Sequence, residues 1–201
     1  ENNFRYYYNS SMFIIPQKKY ELYSKIHLVP FAEYDLIPSI FHPLTKLNIN
    51  IDRGNFKSGN NYKVFKHENL LFSNLICYES SIPKISRTFV SKGAEFLIIQ
   101  ANDGWLGSSF GPYQHFELAR LRAIENRIPI VRCANTGISG IINIDGSIKT
   151  KVLLNEEKII FESLSSNKNG SFYTKYGDIF AIIISIISII VISFKCRKYF
   201  Y

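Results

Sequence analysis

Short apolar runs separated by polar and turn-forming residues extend over residues 11–152 and predict strands alternating with helices. Residues 95–100 and 130–133 read as buried strands, because each is a short apolar run bounded by turn residues. Residues 80–91 and 113–127 read as helices. Strand pairs are predicted at 11–15 with 20–25, at 62–66 with 70–76, and at 140–144 with 147–152. This order indicates an α/β layered fold with antiparallel hairpins mixed in.

Individual residues refine these predicted elements. Phe116, Ala119 and Ala123 recur at the spacing of one inner helix face. Ser80 follows the strand at 70–76 and is the expected N-cap of the first helix. The last hairpin is expected to turn at Asp145-Gly146.

The hydrophobic pattern changes near residue 177. Residues 179–194 are sixteen consecutive uncharged, mostly apolar residues. As a helix they cover ~24 Å, and with the aromatic residues around them they predict a membrane span at 177–195. The alternative is an unusually long buried strand. Residues 163–176 contain a run of Ser and Asn and are expected to be a linker to the span.

The chain has 24 Lys and Arg against 16 Asp and Glu, a net charge of +8. By itself this excess suggests an anionic partner. Lys195, Arg197 and Lys198 carry three of these charges and predict that the tail, 196–201, is cytoplasmic and that everything before residue 177 is periplasmic. Elsewhere no basic cluster with interleaved aromatic residues occurs, so we do not expect nucleic-acid binding.

The three cysteines are Cys77, Cys133 and Cys196, and their wide spacing indicates neither a disulfide framework nor a metal site. Cys133 is expected in the core. His27 and His115 are expected to be structural, because neither has a second ligand at short spacing. We expect no metal and no cofactor.

Three short motifs carry candidate chemistry. Cys77 lies between a strand and a predicted helix whose N-terminus would favour the thiolate, although a free Cys there is also typical of a buried apolar residue. Lys25 lies at the end of a strand, where its ammonium could stabilise an oxyanion while the Glu33 carboxylate orients that ammonium. Alternatively, Lys25 and Glu33 are both solvated surface residues. Asn102 and Trp105 follow a buried strand, where α/β folds bind ligands, although Trp105 can instead close the core.

The chain resembles the apolipoprotein N-acyltransferases in several blocks that follow one another in the same order. These are KIHLVPFAEY, ICYES, ANDGWLGSSFGPYQHFELARLRAIENRIPIVRCANTGISG and the final apolar run. The apolipoprotein N-acyltransferases are membrane-bound members of the nitrilase (carbon-nitrogen hydrolase) superfamily. The resemblance extends from about Tyr20 to the end of the chain. It implies a nitrilase-type α-β-β-α sandwich over 1–162, incomplete at its N-terminus, on the periplasmic side of a bacterial inner membrane.

The resemblance also implies the residues of the site. Cys77 matches the nucleophile and Lys25 the oxyanion-stabilising member of a Glu-Lys-Cys triad. Glu33 and Glu79 match supporting acidic residues, and Tyr78, Asn102 and Trp105 are expected to contact substrate. The family has its triad Glu in a Pro-Glu motif well before the Lys, and no such motif precedes Lys25 here. We therefore expect a C-terminal part of a longer enzyme that is not competent alone.

The reaction implied by the resemblance is a ping-pong acyl transfer. A phospholipid donates an acyl chain to the cysteine, and the thioester passes it to the α-amine of the N-terminal diacylglyceryl-cysteine of an apolipoprotein. Two alternatives remain at this stage. One is a nitrilase-family amidase acting on a small amide, and the other is an inactive remnant without its Glu.

Overall fold

A computed structural model describes residues 6–30, 32–34, 56–107 and 109–199. The described residues contain eight strands and four α-helices. The strands are β1 (Ser10–Phe13), β2 (Glu21–Ser24), β3 (Phe65–His67), β4 (Leu70–Ile76), β5 (Phe96–Ala101), β6 (Ile130–Ala134), β7 (Ser139–Ile142) and β8 (Ile148–Val152). The helices are α1 (Pro83–Ser91), α2 (Gly111–Asn126), α3 (Phe172–Tyr176) and α4 (Ile179–Tyr199), with 3₁₀ helices at Cys77–Ser81 and Gly104–Leu106.

Six strands form one mixed sheet in the order β3-β4-β5-β6-β7-β8. Its three central strands, β4, β5 and β6, are parallel, and the outer strands pair antiparallel. Parallel neighbours need a crossover, which α1 supplies between β4 and β5 and α2 supplies between β5 and β6. The carboxyl ends of the central strands therefore meet at one edge of the sheet, where Ile76 pairs with Gln100 and Gln100 with Cys133.

The main core lies between this sheet and the helices. Leu75, Leu97 and Ile99 alternate with residues of the opposite face, and they join Phe89 of α1 and Phe116 of α2 in one buried cluster. The predicted inner face of α2 is confirmed, because Phe116, Ala119 and Ala123 are all fully buried.

A small second sheet, β1 paired with β2, packs beside the opposite face of the large sheet. The ring of Phe13 lies 5.1 Å from that of Phe72 in an edge-to-face arrangement and 5.6 Å from that of Phe65. Aromatic contacts of this kind add to the free energy gained by burial alone. The described residues thus form a layered α/β sandwich.

The first predicted helix is wrong at its start. Residues 77–81 form a 3₁₀ turn, and α1 begins only at Pro83. The residue before a proline disfavours the helical region, and Ile82 is accordingly extended, with φ −104° and ψ 107°. Ser80 is therefore not an N-cap. Its hydroxyl donates to the carbonyl oxygen of Cys77 at 2.8 Å.

The hairpin between β7 and β8 turns at Asp145-Gly146, as predicted. Gly146 takes a φ of +81°, and the carboxylate of Asp145 accepts a hydrogen bond from the Ser147 amide at 2.9 Å. Such local side-chain to backbone bonds stabilise turns, which is why the sequence signals them well.

Residues 172–176, predicted as the end of a linker, form α3 and pack on the helical layer. Arg87 donates to the carbonyl oxygen of Tyr173 at 2.9 Å, and the hydroxyl of Thr174 donates to the side chain of Asn126 at 3.1 Å. A five-residue helix is too short to show a helical hydrophobic period, so the sequence pattern did not indicate it.

Helix α4 contains the long apolar run. Its isoleucine side chains are exposed around the helix, from Ile179 at 41% to Ile189 at 64%. Among helices whose residues the structure describes, none combines the length and the hydropathy that crossing a membrane requires. Residues 196–199 of the predicted tail belong to α4, and residues 200 and 201 lie outside the described residues.

Candidate active site

A cavity of about 640 Å³ opens at the edge of the sheet where β4, β5 and β6 end. Cys77 lies at the end of β4 and Asn102 at the end of β5, and both line it. Lys25 and Glu33 enter from the chain that follows β2. The volume is in the range of small-molecule and cofactor sites. The structure therefore brings together the thiol, the ammonium and one carboxylate that the sequence analysis selected separately.

Cys77 occupies a strained turn between β4 and the 3₁₀ helix. Its φ is +50°, in the left-handed region that residues with a Cβ rarely adopt. Such strain persists only where the surrounding structure holds it, and it is concentrated at functional sites. The side chain is half-buried, packing against the core on one side and lining the cavity on the other, so a ligand in the cavity can reach the thiol.

Lys25 is only 1% exposed, and its ammonium lies 2.7 Å from Glu33 Oε2. The same carboxylate oxygen accepts the Val29 amide at 2.7 Å, and Oε1 accepts the side-chain amide of Asn9 at 2.9 Å. Burial acts to raise the pKa of Glu33, but these hydrogen bonds and the charge of Lys25 outweigh it and hold the pKa below its usual value. The pair is therefore a buried ion pair that fixes the ammonium at the cavity wall.

Glu79 is fully buried and does not line the cavity. Its Oε1 accepts the amides of Ile26 and His27 at 2.7 and 3.1 Å, and its Oε2 accepts the Ile76 amide at 2.9 Å. Ile26 and His27 directly follow Lys25 in the chain, and Ile76 directly precedes Cys77. The carboxylate thus ties the two chain segments that carry the ammonium and the thiol.

Tyr23 completes the shell of Glu79 by donating its hydroxyl to Oε1 at 2.7 Å. Burial raises the pKa of this phenol strongly, and the neighbouring negative charge of Glu79 raises it further. The hydroxyl therefore stays protonated and acts as a hydrogen-bond donor.

We expect Tyr23→Phe to lower the free energy of unfolding by about 1.5–3 kcal/mol, because it removes one hydrogen bond to a buried charged group. Urea denaturation measures the change. Tyr62→Phe is a matched control, since both rings pack edge-to-face on Phe89, at 5.4 and 5.2 Å. Equal destabilisation by the two substitutions would show that the bond to Glu79 contributes nothing.

The three residues expected to contact substrate fall into two groups. Asn102 and Trp105 line the main cavity. Tyr78 lines a second, smaller cavity of about 180 Å³, which shares Cys77 and Trp105 with the first. Trp105 is 65% exposed, so the alternative that it closes the core is wrong.

The expectation that Cys133 lies in the core is also wrong. It is exposed and lines the cavity beside Cys77. Cys133 pairs with Gln100, which is exposed as well, on the face of the sheet opposite Arg132. A strand of only five residues gives a weak alternation of buried and exposed positions. Its apolar sequence therefore predicted a strand buried on both faces.

A buried polar cluster escaped the sequence analysis. Asp103, His115 and Arg132 lie directly behind the Cys77 turn, linked by hydrogen bonds. A charged residue inside the apolar strand Ile130–Ala134 was the available signal, because a buried arginine requires a partner.

The thiol of Cys77 and the ligand atoms of Asp103 and His115 lie within 4.8 Å of one another, the one such group found among the described residues. The guanidinium of Arg132 already contacts Asp103 Oδ2 at 2.6 Å. Its positive charge opposes a cation there, so the donor set fits a metal poorly.

A thiol on a strained turn, a buried ammonium and a hydrogen-bonded carboxylate thus surround one cavity. Residues 1–172 match the family model described as carbon-nitrogen hydrolase. The chain belongs to the carbon-nitrogen hydrolase family.

The curated relatives show which members of this family are similar in sequence to the chain. The chain is 38% identical over 157 residues to an apolipoprotein N-acyltransferase of Geobacter metallireducens, an alignment covering 78% of this chain and 30% of that protein. It is 37% identical over 190 residues to the apolipoprotein N-acyltransferase of Rickettsia typhi, an alignment that covers 92% of this chain and 37% of that protein. The chain thus spans about a third of the length of these relatives.

Solved structures confirm the nitrilase-type α/β sandwich. A carbon-nitrogen hydrolase superfamily protein of Xanthomonas campestris superposes with a TM-score of 0.58 at 18% identity, covering 79% of this chain and 57% of that one. A carbon-nitrogen hydrolase of Helicobacter pylori superposes with a TM-score of 0.57 at 19% identity, covering 76% of this chain and 55% of that one. At these identities the likeness concerns the fold.

Proposed function

We propose that this chain forms the acyl-transfer site of an apolipoprotein N-acyltransferase. The donor is a phospholipid, and the acceptor is the α-amine of the N-terminal diacylglyceryl-cysteine of an apolipoprotein. The observation that carries the proposal is the convergence of Cys77, Lys25 and Glu33 on one cavity. Relatives that bear this name align over most of the chain, which supports the choice of substrates.

In the first half-reaction the thiol of Cys77 loses its proton to the triad Glu that the family resemblance implies, which the longer enzyme would have to supply because no Pro-Glu motif precedes Lys25. The thiolate attacks the ester carbonyl carbon of the phospholipid, and negative charge moves to the carbonyl oxygen. The ammonium of Lys25 stabilises that oxyanion, and the lysophospholipid leaves with the ester oxygen and a proton. We assign Glu33 to holding Lys25 rather than to taking the thiol proton, because both of its oxygens already accept hydrogen bonds.

In the second half-reaction the free α-amine of the acceptor attacks the thioester carbon. The carbon–sulfur bond breaks, an amide forms, and the thiolate takes up a proton to regenerate Cys77. A thioester suits this sequence, because it reacts with amines yet stores the acyl group while the first product departs, provided that water is kept out.

We propose further that α4 contacts lipid. Its isoleucines are exposed, and burying them in an apolar environment would be favourable by roughly 25 cal/mol per Å² of apolar surface. A lipid contact would also hold the site close to substrates that lie in a bilayer. The positive residues after the apolar run favour an inner-membrane location with the sandwich on the periplasmic side.

The decisive test is the acyl-enzyme itself. We expect an enzyme that contains this chain and also supplies the triad Glu, mixed with phosphatidylethanolamine vesicles and no acceptor, to gain the mass of one acyl chain on the peptide that contains Cys77. Hydroxylamine should remove that mass, and a diacylglyceryl-cysteine peptide should convert it to an amide. Cys133, which lines the same cavity, is the internal control and should stay unmodified. An unmodified Cys77, together with hydrolysis of small amides, would support an amidase instead.

A further inference from the structure

A hydrogen-bonded chain of buried side chains lies behind the Cys77 turn. Arg132 donates to Asp103 Oδ2 at 2.6 Å, and His115 Nδ1 donates to Asp103 Oδ1 at 2.8 Å. The guanidinium also donates to the carbonyl oxygen of Ile138 at 3.0 Å. Asp103 lies in the loop after β5, His115 in α2 and Arg132 in β6, and the proposed reaction uses none of them.

Burial shows that the cluster is part of the built structure. Asp103 is 1% exposed, Arg132 is 2% exposed and His115 is 8% exposed. Burial acts to raise the pKa of Asp103, but the hydrogen bond from His115 and the charge of Arg132 outweigh it and keep the pKa below its usual value. Buried charges are retained only when they are paired in this way.

The backbone makes room for the cluster. A Cβ on Gly137 would lie 2.2 Å from Asp103 Oδ2, so any side chain there would displace the carboxylate. The loop between β6 and β7 is thus shaped around Asp103.

The cluster contacts the Cys77 turn through Nε2 of His115, the ring nitrogen that does not face Asp103. His115 Nε2 lies 3.1 Å from the carbonyl oxygen of Cys77 and 2.8 Å from the hydroxyl oxygen of Ser80. With Nδ1 donating to Asp103, a protonated ring donates from Nε2 to the carbonyl oxygen of Cys77, whereas a neutral ring accepts the one hydroxyl hydrogen of Ser80, which then no longer goes to that carbonyl oxygen. In both states His115 is hydrogen-bonded to the turn that holds Cys77 at a φ of +50°.

We propose that His115 is a positioning residue for Cys77, aligned by Asp103 and Arg132 and acting through Nε2 on the Cys77–Ser80 turn. The inference rests on the proposed role of Cys77 as the nucleophile. Holding a strained backbone in place is a recognised way to aim a reacting group without later reorganisation. The sulfur then faces the cavity in the orientation that attack requires.

Two substitutions separate this role from simple packing. The amide of His115→Gln reaches the position of Nε2, whereas that of His115→Asn reaches only the position of Nδ1. We expect His115→Asn to slow alkylation of Cys77 by iodoacetamide about tenfold, because the turn loses the hydrogen bond that orients the sulfur. His115→Gln should stay within about threefold of the unchanged protein, since it keeps the hydrogen bond to the turn.

The measurement uses the full chain and peptide mass spectrometry, so each cysteine is followed separately. Cys133 should react at the same rate in all variants. Equal rates at Cys77 in both variants, whether fast or slow, would overturn the proposal. If neither His115 variant folds, Asp103→Asn decides, because it keeps the size of the side chain and weakens only its hold on His115 and Arg132: slower alkylation of Cys77 alone supports the role, and an unchanged rate contradicts it. Alkylation needs no lipid, so it tests His115 even if acyl transfer from phospholipid is not found.

Discussion

Cys77→Ala is expected to lower the rate of N-acylation by at least about a thousandfold, because removing a covalent nucleophile leaves only the binding and electrostatic contributions of the site. No thioester can form, so the donor acyl chain has no route to the amine. The initial rate of amide formation on a diacylglyceryl-cysteine peptide, measured by mass spectrometry with an enzyme that contains this chain and supplies the triad Glu, checks the result. The fold should persist, since the half-buried thiol contributes little to the core.

Cys133→Ser is the matched control for this substitution. Cys133 is the other described cysteine on the cavity wall, and its side chain is more exposed than that of Cys77. We expect Cys133→Ser to keep the rate within about threefold, because it keeps the size of an exposed side chain that takes no part in the proposed reaction. N-acylation that survives Cys77→Ala would refute the covalent mechanism.

The second large effect is expected for Lys25→Met, which keeps the length and apolar stem of the side chain and removes its charge. We expect kcat to fall by about 10²–10³, the usual effect of losing one donor to an oxyanion. KM should change less, because the charge on the carbonyl oxygen develops only in the transition state. Steady-state kinetics with phospholipid vesicles measures both parameters.

Lys25→Met also leaves the carboxylate of Glu33 without its cation. Breaking a buried ion pair on one side costs about 3 kcal/mol of stability, and the Glu33 side chain is only 15% exposed. The double variant Lys25→Met with Glu33→Gln removes the stranded charge. It should recover much of the free energy of unfolding while kcat stays low.

Activity that returns together with stability in the double variant would contradict the role assigned to Lys25. The loss in the single variant would then reflect a disturbed fold rather than a missing ammonium. Urea denaturation and kinetics on the same preparations separate the two explanations.

Much of the candidate site was accessible from the sequence, because its chemistry lies in short contiguous motifs. The strand before Cys77, the position of Lys25 at a strand end and the loop with Asn102 and Trp105 all follow local patterns. Parallel strands place their carboxyl ends at one edge, so separate motifs after β4 and β5 had to meet there. The family resemblance supplied the roles of these residues, and the geometry supports the grouping of Cys77, Lys25 and Glu33.

Other features depend on contacts between distant segments. Glu79 follows Tyr78 in one motif, yet it binds main-chain amides some fifty positions away, including the amide of Ile26. The start of α1 was misplaced because the restriction that Pro83 imposes on Ile82 was overlooked in favour of a capping pattern at Ser80.

The sequence by itself determined the alternation of strands and helices, the apolar run at the C-terminal end and the motifs that carry the thiol and the ammonium. These are encoded by periodicity and by neighbouring residues. Only the tertiary structure decided which polar groups are paired. Asp103, His115 and Arg132 are separated by 12 and 17 positions along the chain, and they form one network because burial leaves each of them no other means of compensating its lost hydration. The same packing turned Cys133 toward the cavity and gave Cys77 its strained backbone.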